Sequence, residues 1–516
     1  MLVGDFLTNS AKLFPNKTAL IFGGRTLTYA QINISANRLA NALISLGIER
    51  DDRVGIFLDN CIEAVIALFA ILKADATFVV INPTTKFQKL SYLVNNCRMR
   101  GLIAGWDKSD LVSCLPESVP SLDFVIFCGK REKLTNMTIN KFFEYEELLK
   151  SSAPEVLPSK CIDRDLAAII YTSGTTGFPK GVMMTHLNMV SACTSITTYL
   201  ENTSSDIILD VLPLSFDYGL YQVLMAFKMG GTIVLEKTFL YPFEIVRTII
   251  QERITGFPGV PTIFALLLQL QNLKNYDFSC LRYITNTAAA LPVSHVKRLR
   301  EVFPHTKIYL MYGLTECKRV SYLPPDELDR RPDSIGKGMP NEEIYIVNEQ
   351  GERAKPGEIG ELVVRGSNVM RGYWELPEET DKVLRPGKYY GEKALYTGDL
   401  FRMDEEGYLY FVGRKDDIIK SRGEKVSPKE IENVLYHLDE VLETAVMGVP
   451  DPILGQAIKA VVVLKKGANL TPEEIQHFCA RNLEDFMVPK IVEFRKFLPK
   501  TETGKIKRID LISKEE

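Results

Sequence analysis

The sequence is poor in histidine, and none of the five is placed as a metal ligand: His186, His295, His305, His437 and His477 are far apart and never at i, i+4. That excludes a zinc centre of familiar spacing and leaves room only for a carboxylate- or phosphate-bound magnesium. Paired cysteines are missing as well. The nine cysteines (Cys61, Cys97, Cys114, Cys128, Cys161, Cys193, Cys280, Cys317, Cys479) are odd in number, scattered and without a C-x-x-C. Neither a disulfide framework nor a thiolate cluster is expected, and they read as reduced thiols of a cytoplasmic protein. The most hydrophobic early stretch, Ala64 to Leu72, is bounded by Glu63 and Lys73 and is too short to span a bilayer. The start, MLVGDFLTNSAKLFPNK, has no basic segment followed by an apolar run, so no signal peptide is expected. Charge of one sign is also lacking: the formal net charge of −3 gives no global bias toward nucleic acid or an anionic membrane. Repeats and low-complexity tracts are absent.

What is present is the composition of an ordinary globular chain, 46% hydrophobic and 25% charged over 516 residues, which suggests a few domains. TALIF and RTLTY flank Gly23 and Gly24 as a hairpin, and Thr28 with Gln31 forms a capping-box pattern that opens a helix ending near Gly47. VGIFL, the apolar helix around Ala64 to Leu72, and ATFVVINP then alternate as strand, helix and strand, with the continuous apolar runs of parallel strands covered on both faces. AAIIYTS, IILDVLPL, GTIVLE and KIYLMYG repeat the alternation, each ending at a polar or Gly-bearing loop where α/β sheets bind ligands. After about residue 335 the texture becomes short strands and turns. Beyond Arg414, VSPKEIENVLYHL reads as a helix capped by Ser427 with Glu430 completing a box, and TPEEIQHFCARNL as a second capped helix. The expectation is a large α/β domain over 1–413 and a small α+β domain over 414–516.

The densest chemical signal is Tyr171-Thr-Ser-Gly-Thr-Thr-Gly-Phe-Pro-Lys-Gly181, following the apolar strand. Its glycines let backbone N–H groups converge, Ser173, Thr175 and Thr176 add hydroxyls, and Lys180 adds a cation, which together make a phosphate cradle. It is not a Walker A loop, because Pro179 precedes the lysine and Gly181 follows it.

With Met311-Tyr-Gly-Leu-Thr-Glu316, Tyr396-Thr-Gly-Asp-Leu400, Gly413-Arg-Lys-Asp-Asp-Ile-Ile-Lys420, Ser421 to Pro428 and Pro499 to Lys505, in this order and spacing, the chain resembles the adenylate-forming enzymes over nearly its whole length. That superfamily includes acyl- and aryl-CoA synthetases, luciferases and nonribosomal peptide adenylation domains. The resemblance implies a large multi-layer α/β domain with a distorted β-barrel part and a small mobile α+β domain, with ATP and Mg2+ as cofactors. It puts Tyr312 against adenine beside Met311 and the turn Thr287-Ala288-Ala289, where relatives more often have glycines. It puts Thr315 near the α-phosphate, Glu316 on magnesium, and Asp399 and Arg414 on the ribose. Lys505 would bridge the substrate carboxylate and the α-phosphate, where charge concentrates as pyrophosphate leaves. Asp416 matches the hinge about which the small domain swings, and Lys420 and Gly423 belong to the loop presented for thiolation.

The acid is the open question. Leu212-Pro-Leu-Ser-Phe-Asp-Tyr-Gly-Leu220 has Asp217 where acyl-CoA synthetases commonly have histidine and amino-acid adenylation domains have aspartate. Asp217 could pair with a substrate ammonium or cap the following helix. The stretch GRKDDIIKSRGEKVSPKEIE looks more like the synthetase branch. The overall resemblance is to free-standing prolyl-type ligases. It implies a small amino acid such as proline, loaded onto the phosphopantetheine of a carrier protein in secondary metabolism, with no nucleic-acid or membrane partner. The alternative is an AMP-forming acyl- or aryl-CoA synthetase for an uncharged acid.

Overall fold

The structure is a computed structural model. It describes every residue except 116–118, 132–140, 156–157, 173–178, 240, 416, 422–423, 452–454, 484–486, 501–505 and 513–516. For 420, 421, 424, 425, 455, 509 and 512 it describes the backbone alone.

The hairpin forms as expected, Thr18–Phe22 against Arg25–Thr28, because Gly23 and Gly24 supply left-handed φ values of 56° and 76°. Thr28 and Gln31 close the reciprocal capping box on helix Tyr29–Ser45. That helix packs on Ile62–Lys73, whose side chains are buried almost all round, as its unbroken apolar run requires.

Two large sheets follow from the apolar strands, one of nine strands and one of eight among the described residues. In the nine-stranded sheet Thr18–Phe22, Thr232–Leu235, Ile207–Asp210, Gly256–Gly259, Tyr283–Asn286 and Lys307–Tyr312 run parallel side by side. The eight-stranded sheet has Thr77–Val80, Arg53–Phe57, Met99–Gly105, Phe124–Cys128 and Phe142–Glu144 in parallel, with Leu166–Thr172 and Lys180–Thr185 as an antiparallel pair beside them. The antiparallel part expected as a distorted barrel is a five-stranded sheet in which Lys393–Met403 lies between Ile359–Gly366 and Leu409–Arg414.

A fourth sheet holds the strands from Ile419–Ser421 onward and none from the earlier chain. Its helix Pro472–Asn482 carries the expected box between Thr471 and Glu474. Helix Pro428–Leu435 does not. Ser427 stands at its N-cap but makes no side-chain capping bond, because the hydroxyl donates instead to the Val412 carbonyl of strand Leu409–Arg414. All nine cysteines are free. Among the described residues no helix is long and apolar enough to cross a membrane, and no cluster of potential metal ligands occurs.

Candidate active site

Strand Lys307–Tyr312 ends at the loop that carries Thr315 and Glu316, and the chain then returns antiparallel as Ser321–Leu323. The turn is tight. A Cβ on Gly313 would lie 2.4 Å from the Lys318 carbonyl oxygen and 2.9 Å from the Arg319 Cα, so glycine is needed there. Lys318 completes the turn in the left-handed region at φ 66°.

Three of the residues proposed for the nucleoside meet. The Tyr312 hydroxyl donates to Asp399 Oδ2 at 2.6 Å, and Arg414 Nε donates to Asp399 Oδ1 at 3.0 Å. Strand pairing fixes this, since Asp399 and Arg414 are direct partners across Lys393–Met403 and Leu409–Arg414. Burial, and then the Asp399 charge, push the Tyr312 phenol well above its ordinary range. Each carboxylate oxygen keeps a further lone pair for a ribose hydroxyl. Met311 is buried one residue earlier and its sulfur accepts from the Tyr199 hydroxyl at 3.1 Å.

The neighbouring strand Tyr283–Asn286 leads into the turn at Ala288 and Ala289. Ala288 holds φ 73°, a conformation that suits glycine, and Asn286 Nδ2 donates to the Ala289 carbonyl at 3.0 Å. A glycine would hold this conformation freely, and this chain accepts a small strain instead.

On the phosphate side Lys180 begins strand Lys180–Thr185 and meets Glu379 Oε2 at 2.6 Å, with its ammonium 5.2 Å from the centroid of the Tyr373 ring. Tyr373 donates to Glu316 Oε1 at 2.7 Å, while Glu316 Oε2 has no protein partner among the described residues. Hydrogen bonds from Lys180 and Lys382 hold Glu379 down to about 2. Thr315 sits half-buried beside Glu316. Tyr373 and Glu379 were not legible as site residues: they lie 193 and 199 residues beyond Lys180 and belong to no phosphate motif. Ser173, Thr175, Thr176, Asp416, Gly423 and Lys505 lie outside the described residues, as does the side chain of Lys420.

Asp217 already has a cation within the protein. Its carboxylate was expected to await a substrate ammonium or to cap a helix. It is the first residue of helix Asp217–Met229, whose N-cap is Phe216, and it makes no side-chain cap. Its cation is Lys318, whose Nζ donates to the Asp217 carbonyl at 2.8 Å and to Oδ2 at 3.2 Å. The side chains are 2% and 10% exposed, and the ammonium lies 4.5 Å from the Tyr221 ring centroid. Burial, offset in part by Asp217, lowers the lysine to about 8. A separation of 101 residues hid this partner from sequence reasoning.

Fold and site together are those of an α/β enzyme with polar groups gathered at the carboxyl ends of the parallel strands Tyr283–Asn286 and Lys307–Tyr312 and on the antiparallel strands beside them. The description "AMP-binding enzyme" matches residues 7–374 and "AMP-binding enzyme C-terminal domain" matches 430–505, and the chain belongs to this family. The long-chain-fatty-acid–CoA ligase of Bacillus subtilis (strain 168) is 35% identical over 534 residues, 99% of this chain and 94% of that protein. The protein of the same name from Escherichia coli O157:H7 is 32% identical over 98% of this chain and 93% of its own length. The crystal structure of ATP-bound MatB from Rhodopseudomonas palustris superposes with a TM-score of 0.88 at 27% identity, covering 99% of this chain and 98% of that one. The protein is an ATP-using, AMP-forming acid–thiol ligase.

Proposed function

We propose that this ligase is an acyl- or aryl-CoA synthetase: it adenylates a carboxylic acid without an α-ammonium group and passes the acyl group to CoA. The observation that carries the reading is the Asp217–Lys318 pair. It occupies the carboxylate that an amino-acid substrate needs, and an entering ammonium would face Lys318 instead. Relatives named for CoA ligation support the same acceptor. The expected proline substrate and carrier protein give way to this alternative, and the link to secondary metabolism goes with them.

In this reading Tyr312, Met311 and the Ala288–Ala289 turn hold adenine, and Asp399 and Arg414 hold the ribose. Lys180 and the hydroxyls of Ser173, Thr175 and Thr176 hold phosphate oxygens. Glu316 suits Mg2+ as a hard oxygen ligand whose Oε2 is free of protein partners among the described residues. When bound, the ion would offset the charge of the triphosphate. Thr315 and Lys505 orient the acid's carboxylate against the α-phosphorus, pyrophosphate leaves, and an acyl-adenylate remains. The small domain, divided from the large one at 413/414, turns about Asp416 and brings the Lys420 and Gly423 loop to the site, where the CoA thiol displaces AMP.

ATP–pyrophosphate exchange over fatty, aromatic and amino acids, followed by mass detection of the CoA thioester, tests this. Exchange with acids that lack an amino group, and their CoA thioesters, are expected. Exchange with amino acids alone would overturn the reading.

A further inference from the structure

We propose that Arg319 is a specificity residue that reads a second anionic group on the acid, a carboxylate in the simplest case, so that the preferred substrate is charged at both ends. The inference rests on the CoA-synthetase reading and sharpens it. Arg319 is 1% exposed, and its Nε and Nη1 are sealed from solvent with no hydrogen-bond partner. A guanidinium offers five donors and no acceptor, so a buried one without a carboxylate is a group whose partner is missing. Among the described residues none supplies that carboxylate.

The placement is specific. The guanidinium carbon lies 5.0 Å from the Tyr218 ring centroid, in the first turn of the helix that starts at Asp217. The Tyr218 hydroxyl contacts Thr285 Oγ1 at 2.5 Å, on the strand that leads into the Ala288 turn. The Arg319 backbone packs on Gly313, in the loop of Thr315 and Glu316, and Asn368 Nδ2 pins its carbonyl at 3.2 Å. Arg319 is therefore enclosed between helix Asp217–Met229 and the loop that carries Thr315 and Glu316, the residue proposed to orient the acid and its neighbour.

The local charge does not balance. Lys318 and Arg319 bring two positive charges into this space, and Asp217 brings one negative charge, already taken by Lys318. Two further buried carboxyls, Asp210 and Glu342, form no ion pair with either cation among the described residues. Burial pushes Asp210 and Glu342 well above the usual carboxylate range, and Glu342 accepts from Asn368 Nδ2 and from the Met339 N–H. The Tyr218 face attracts the cation but leaves the N–H groups unfilled. A second carboxylate on the substrate supplies both the charge and the acceptors.

The test compares kcat/KM for straight-chain dicarboxylates and length-matched monocarboxylates, by pyrophosphate exchange and CoA thioester formation, in wild type, Arg319→Leu and Arg319→Lys. Wild type is expected to favour the dicarboxylate in one length range by ~100-fold, Arg319→Leu to lose that ratio, and Arg319→Lys to keep part of it. A purely structural arginine would lower the melting temperature of Arg319→Leu and leave the ratio unmoved, overturning the proposal. Should the variants fail to fold, the wild-type series still decides: monocarboxylates equal or better at every length overturn it. Exchange confined to amino acids would instead remove the CoA-synthetase reading beneath it.

Discussion

The two halves of the site are built on different principles. In the half proposed for the nucleoside, Tyr312, Asp399 and Arg414 satisfy one another, and each was singled out through its motif. In the half proposed for the acid, Asp217 and Lys318 form a buried pair while Arg319 beside them has no carboxylate partner among the described residues, and neither cation was singled out from the sequence. ATP presents the same groups to every enzyme that uses it, so its contacts recur as motifs. The acid's contacts depend on one chain's balance of buried charge, which local spacing does not encode.

The contrast can be broken at four points. The largest effect is expected for Lys318→Met, which strands a buried carboxylate and should lower unfolding stability in urea by about 3–5 kcal/mol. Adding Asp217→Asn should restore most of it. Equal stability of the single variant and wild type would mean that the pair is not coupled. The pair also has a pH signature. Lys318 sits at about 8 in the fold, below the ~10.4 of an unfolded lysine. Between these values the unfolded chain binds more protons, so this group makes stability rise with pH, a contribution that should vanish from the double variant.

Next, Asp399→Ala removes the acceptor for the ribose and leaves Arg414 unpaired. KM for ATP should rise about 100-fold in exchange assays with the acid KM little changed. A rise in the acid KM instead would erase the division between the halves. Smaller still, Glu379→Gln frees Lys180 from a partly exposed ion pair, and KM for ATP should fall by less than about fivefold. The smallest effect is expected from Ala288→Gly. Relief of the left-handed strain, about 1 kcal/mol, is largely offset by glycine's greater chain entropy, leaving a slight rise in melting temperature.

Much of the scaffold was legible because it is local. Gly23-Gly24 demanded a hairpin, Thr28 with Gln31 demanded a helix start, and apolar strands demanded burial on both faces. Ser427 shows the limit. Its capping-box spacing is correct, yet a carbonyl at Val412 offered the hydroxyl another acceptor, and tertiary contact won. At the site, the same limit hid Tyr373 and Glu379, which reach Glu316 and Lys180 only because strand Gly372–Tyr373 pairs with Lys180–Thr185. It also concealed the cation that neutralises Asp217.

The tight turn from Gly313 to Arg319 has a practical consequence for anyone redesigning this enzyme. One short loop carries Thr315 and Glu316, proposed for the adenylation step, and three residues later the buried cations Lys318 and Arg319. Its backbone touches itself at Gly313 and is left-handed at Lys318, so there is no slack to absorb a bulkier neighbour. A library that randomises 318 and 319 would trade turnover against selectivity in nearly every clone.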